Sequence, residues 1–227
     1  MEDIEMERSV KGLIIKDFQL MKSQMKFFFL LMIVCGILTA SSLNMVYFVG
    51  YIAILCSYLV VGTFGYDAFE NGYAYLFTLP ISRKDYVLEK FVFGVLLTTI
   101  PFLVTSAVSW VAFVVRGSEM RFGEYCLSVA ISLPLAFLML ALEIPLQIKF
   151  GQEKSRIVSI LLIGGMSTAM ALVSSLNEIA GVDMAEVLGG IAGLGIGGSI
   201  LMVAVGVVVL LLFSYKISCW LMEKKEF

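Results

Sequence analysis

The chain has 227 residues, 60% of them hydrophobic, with 16 basic and 18 acidic side chains and a net charge of −2; its mean hydropathy is +0.97. These values exclude an ordinary soluble domain and define an integral membrane protein, in which the placement of charges matters more than their sum. Histidine is absent, which removes the commonest metal ligand and the usual neutral-pH acid or base. Cys35, Cys56, Cys126 and Cys219 form no close pair, so neither a zinc site nor a disulfide framework is expected.

Residues 1–26 open with acids and turn basic. Val10, Leu13, Ile14, Phe18 and Met21 fall on one face of a helix, with Lys11, Lys22 and Ser23 toward the other; this predicts an amphipathic helix lying at the membrane surface. Residues 27–66 carry no charge over 40 positions, twice the roughly 20 needed to cross a hydrocarbon core. They are expected to form a hairpin of two spans, 27–43 and 46–66. Further spans are expected at 91–115, 125–148, 157–176 and 187–215, separated by short polar segments. The predicted fold is all-α: a 27–227 domain of six transmembrane helices behind an interfacial helix, since a membrane barrel would show short alternating strands instead.

Basic residues set the orientation. Fourteen of the sixteen lie in the amino-terminal segment, in 67–90, in 149–156 and in the tail, and only Arg116 and Arg121 fall on the other side. The positive-inside rule therefore predicts that both termini and the 67–90 segment are cytoplasmic.

That segment, DAFENGYAYLFTLPISRKDYVLEK, is the longest polar interruption. Its seven charges, Asp67, Glu70, Arg83, Lys84, Asp85, Glu89 and Lys90, require water or protein partners rather than lipid. Its apolar and aromatic side chains, among them Phe69, Tyr73, Tyr75 and Leu79, exceed what a solvated loop needs, and the mixture predicts a docking surface. Elsewhere, Gly189, Gly193 and Gly197 repeat every four residues, and Gly164, Gly165 and Ser167 open a second small-residue run. Both predict close helix packing, within the chain or between subunits. A phosphate-binding loop is a poor reading of the glycine cluster, which has no preceding strand and no partner lysine. Glu143 is the one charge expected inside a span; its nearness to Lys149 favours a structural or coupling role over proton relay or substrate binding. No catalytic motif for metalloproteolysis, serine hydrolysis or ATP hydrolysis occurs, so work done by this protein must draw its energy from elsewhere.

The runs Glu70-Asn71-Gly72, Leu79-Pro80-Ile81-Ser82-Arg83, Asp85-Tyr86-Val87 and Glu89-Lys90 resemble a signature of type-2 ABC exporter permease subunits, in the small bacterial branch that includes the phenol-soluble modulin exporter permeases. Ile144 to Gly151, followed by Glu153-Lys154, resembles a second run of the same branch. The resemblance implies a non-catalytic permease in a bacterial plasma membrane. It would pair with a second copy or paralogue and with two cytoplasmic ATPase subunits, which carry the ATP and magnesium; no cofactor is expected in this chain. It also implies a coupling helix in 67–90 that fits a cleft on the ATPase, with Asp67, Phe69, Glu70, Asn71, Tyr73, Tyr75, Leu79, Pro80 and Arg83 as contact residues. Short outer loops favour amphipathic peptide or lipid-like cargo, with membrane lipids around the bundle and no nucleic acid. An ion-coupled secondary transporter, which would show inverted repeats, and an accessory subunit of a membrane enzyme are the alternatives.

Overall fold

The computed structural model describes residues 10–22, 26, 29–30, 33, 45–69, 72–79, 81–115, 122–130, 132–180 and 195–225, and every regular element among them is a helix. These are α1 (residues 10–22), α2 (Met45–Ala68), α3 (Gly72–Leu76), α4 (Arg83–Val115), α5 (Phe122–Ala130), α6 (Ser132–Ala180) and α7 (Gly195–Glu223). Four stretches are long and apolar enough to cross a membrane: Phe48–Ala68, Arg83–Val115, Ser132–Gly151 and Ala204–Glu223. They overlap the expected spans at 46–66, 91–115, 125–148 and 187–215, the last only over 204–215. The expected span at 157–176 lies on helical backbone in α6, and most of the one expected at 27–43 lies outside the described residues.

The largest departure is at the start of α4. The helix begins at Arg83 rather than 91, so the last eight residues of the supposed polar insertion are its first two turns. A capping box explains this. The Ser82 hydroxyl accepts from the Asp85 amide at 3.1 Å, and the Asp85 carboxylate accepts from the Ser82 amide at 3.2 Å; two of the amides that a helix start leaves unpaired are satisfied reciprocally. At 33 residues α4 is about 50 Å long, well beyond the ~30 Å hydrocarbon core, so its charged turns extend past the lipid. At the end of α2 the chain reverses tightly, and a Cβ at Gly72 would stand 2.7 Å from the Asp67 carbonyl oxygen. Only glycine fits there.

Within α6 the backbone breaks at Gly151, with φ 73° and ψ 177°, a region open essentially to glycine alone. Along an unbroken helix Glu143 and Ser159 would be about 24 Å apart, yet their side chains interact. The chain therefore folds back at Gly151 into a hairpin with two arms, 132–150 and 152–180.

α2 packs against α4 and α6, and α7 against α6 and α4. The main core joins Leu13 and Met21 of α1 to Leu59, Val60 and Phe64 of α2, Tyr86, Val87 and Phe91 of α4, Leu140, Ile144 and Ile148 of α6, and Met222 of α7. Outward stripes such as Leu96, Ile100, Leu103 and Val111 on α4, and Leu201, Val205, Leu212 and Phe213 on α7, are exposed and suit hydrocarbon. The amphipathic reading of α1 needs correcting. Its protein-facing side is Leu13, Asp17 and Met21, one turn apart and all buried, whereas Phe18 points outward. An acid inside the buried face concealed the pattern.

Among the described residues, tight helix contacts also occur at glycines that the four-residue spacing did not single out. A Cβ on Gly94 would meet Leu140 Cδ1 at 2.6 Å, and one on Gly50 would meet Ser132 Cβ at 2.8 Å; these glycines let α4 and α2 approach α6. Gly164, by contrast, faces open space. Gly197 lies on the first turn of α7, Gly165 and Ser167 lie on α6 backbone, and Gly189 and Gly193 fall outside the described residues. Gly94→Val is expected to cost about 1–3 kcal/mol through overpacking. Adding Leu140→Ala should recover part of that loss, as read from thermal unfolding in detergent.

Candidate functional site

The charged turns of α4 meet the end of α2 and the face of α1 around one ammonium. Lys90, with no solvent exposure, donates to the Asp17 carboxylate of α1, and its Nζ lies 2.8 Å from Asp67 Oδ2 and 3.0 Å from Thr63 Oγ1 of α2. It also stands over the rings of Phe64 and Tyr86, at 5.3 and 5.1 Å from their centroids, within cation–π range. Lys16, the residue before Asp17, pairs with Asp67 from the half-exposed side and with Asp17 Oδ1 at 3.2 Å. The Tyr86 hydroxyl donates to Asp67 Oδ2 at 3.0 Å. Two ammoniums thus balance two carboxylates, and three helices are tied at one point.

Glu89 is the exception. It is fully buried, neither carboxylate oxygen is hydrogen-bonded, and Oε2 comes no closer to Lys90 than 3.7 Å.

Tyr86 links this cluster to the 69–82 segment. Its ring meets Phe64, Tyr73 and Phe77 edge to face at centroid distances of 6.1, 6.0 and 6.0 Å, the geometry that aromatic quadrupoles favour. Tyr73 and Leu76 of α3 turn inward onto this core. Burial pushes the Tyr73 phenol above its ordinary pKa. The carboxyl end of α7 closes the other side. Arg83 donates to the carbonyl oxygens of Met222 at 3.1 Å and Glu223 at 2.7 Å, placing a cation on the negative pole of that helix. Lys225 stands 4.9 Å from the Tyr73 ring centroid, and burial pulls its ammonium below the ordinary value. The described residues of 69–82 are therefore held on α2 and α4, which the ion cluster ties to α1 and Arg83 ties to α7.

What remains on the outside is a small apolar set: Phe69 is 69% exposed, Tyr75 73% and Leu79 43%. Of the nine residues expected to contact a partner, these three project outward. Asp67, Tyr73 and Arg83 face the protein, and Glu70, Asn71 and Pro80 lie outside the described residues. Sequence reasoning did not single out Lys16, Asp17, Tyr86, Glu89 or Lys90 as a cluster. The available signals were the Ser82 to Asp85 capping box and the one-turn spacing of Leu13, Asp17 and Met21. Glu143 is buried in the hairpin of α6, where Ser159 approaches it without completing a well-formed hydrogen bond. No ion pair between it and Lys149 is present.

This is a polytopic helical membrane protein with an apolar knuckle braced on its charged end. The family described as ABC-2 family transporter protein matches residues 12–223, and the chain belongs to that family. It is thus a membrane permease of an ABC transporter, a class that associates with an ATPase subunit. No curated protein and no solved structure gives a match.

Removing Lys90 would leave two buried carboxylates sharing the single ammonium of Lys16, whereas the Lys84 to Glu223 pair, at 3.4 Å, is largely exposed on both sides. Lys90→Met is expected to lower stability by about 3–5 kcal/mol, and Lys84→Met by no more than about 1 kcal/mol. Unfolding midpoints in detergent check the contrast.

Proposed function

We propose that this chain is the transmembrane half of an ATP-driven exporter in a bacterial plasma membrane, with both termini and the 69–82 segment on the cytoplasmic side. In this reading α3 is the coupling helix. Phe69, Tyr75 and Leu79 enter a cleft on the ATPase, together with the neighbouring Glu70, Asn71 and Pro80. Asp67, Tyr73 and Arg83 act from behind, by fixing the segment to the helices that must move.

The observation that supports this most is the contrast between the two sides of one short segment. Large apolar side chains exposed outside the apolar stripes of the spans mark contact surfaces, and here they stand on a base anchored by Lys90, Tyr86 and Arg83. A push on such a knuckle reaches four helices at once. Two ATPases acting on two permease copies, or on one copy and a paralogue, would use that push to alternate the side to which a central cavity opens. Cargo is read as an amphipathic peptide or lipid-like molecule, because the segments joining the spans on the other side are short and offer no large receiving domain.

Alanine at both Phe69 and Tyr75 should weaken co-purification with the cognate ATPase by the order of tenfold or more, as truncation of exposed anchor residues does. The unfolding midpoint should stay unchanged, since neither side chain is buried. Unchanged ATPase binding and unchanged stimulated turnover would overturn the docking assignment.

A further inference from the structure

The hairpin of α6 carries a second buried polar group that the docking account does not use. Gln147 and Ser155 stand four residues either side of Gly151, and Glu143 and Ser159 stand eight either side. All four side chains are buried. On each arm the pair is one helical turn apart, so both pairs lie on one face of their arm. The approach of Ser159 to Glu143 sets those faces toward each other. α7 adds Ser214, whose hydroxyl donates to the Ala141 carbonyl oxygen, and Ser218 one turn later, both buried.

Several of these groups have nothing to bond. Glu143 Oε2, both terminal atoms of Gln147, Ser159 Oγ and Ser218 Oγ make no hydrogen bond, although buried polar atoms in folded proteins are nearly always paired. The helices packed on α6 are α2, α4, α5 and α7. Their buried or half-buried titratable groups include Cys56 and Asp67, Asp85, Tyr86, Glu89 and Lys90, Tyr125 and Cys126, and Tyr215 and Cys219. Asp67 and Lys90 are engaged with α1, and the Tyr125 hydroxyl donates to the Ser106 carbonyl oxygen at 2.7 Å. None of these groups pairs with Glu143; among the described residues the side chain that acts on it is Ser159. An ionised carboxylate there would be a buried charge with no counter-ion among the described residues, which an apolar interior does not tolerate.

We propose that the α6 hairpin is a proton-binding site. Glu143 holds a proton taken from water while the two arms are packed together, and returns it to water when they separate. The bound proton removes the unbalanced charge and supplies the donor that the oxygen of Ser159 lacks. Arm separation is then linked to proton release, and higher pH favours the separated form.

This inference rests on the membrane-spanning reading but not on ATPase docking, and its test needs no ATPase. The full-length permease in lipid nanodiscs is examined by infrared difference spectroscopy on stepping the pH upward from neutral. A protonated-carboxyl C=O band should be present at neutral pH and disappear as the pH rises. The component from Glu143 should be lost in Glu143→Gln, survive in Glu89→Gln, and move to higher frequency in Ser159→Ala, where the proton stays but its hydrogen-bond partner is gone. A wild-type spectrum with no such band overturns the proposal. So does a band that Glu89→Gln abolishes, or one that Ser159→Ala leaves in place; this last comparison holds even if Glu143→Gln fails to fold.

Discussion

The Lys90 ammonium is held where no water reaches it, and it can stay there only while Asp17 and Asp67 stay beside it. The three residues come from three helices, so the condition fixes α1, α2 and α4 relative to one another. Burying an ion pair often yields little net stability, because desolvation offsets the attraction. Removing one partner is nonetheless severe, because the other charge remains buried. The cluster therefore acts mainly on register: alternative packings of α1 strand a charge, and the observed one does not.

Everything on the loop side follows from that register. Tyr86, one turn before Lys90, receives Phe64, Tyr73 and Phe77 around its ring and donates to the same Asp67. α3 is thereby set at a fixed height, with Tyr75 outward and Leu76 inward. Arg83 brings the end of α7 onto the same block through two carbonyl oxygens. A surface of three exposed apolar side chains would be a weak feature on a mobile loop, since ordering it on contact would consume much of the binding free energy. Mounted on four helices, it is preorganised, and its displacement is shared by the spans.

Much of this was legible in the residues. Uncharged runs overlap the four described spans, and the polar and aromatic mixture of 67–90 contains the residues from Asp67 to Lys90 that the ion cluster and the Tyr86 ring bring together. The boundaries within that segment were misplaced because charge was taken as a sign of loop. Asp85, Glu89 and Lys90 are instead helical, started by a Ser-x-x-Asp box and compensated by residues far away in sequence. The long-range pairing of Asp17 with Lys90 has no local signature, since either residue alone reads as a solvated charge. The close contact at Gly94 was not legible for a similar reason. Gly94 matters because Leu140 lies against it, and a partner on another helix cannot be read from a four-residue repeat.

The claim that Lys90 and Asp17 act as one unit is tested most directly by a double-mutant cycle on thermal unfolding, using Asp17→Asn and Lys90→Met singly and together. If the pair fixes the register, each single change leaves a buried charge, and the double change removes both. The cycle should then show a coupling free energy at the upper end of the roughly 0.5–3 kcal/mol seen between contacting residues, with the double variant more stable than additivity allows. Additive effects, within about 0.5 kcal/mol, would show that the two residues do not depend on each other and would contradict the account.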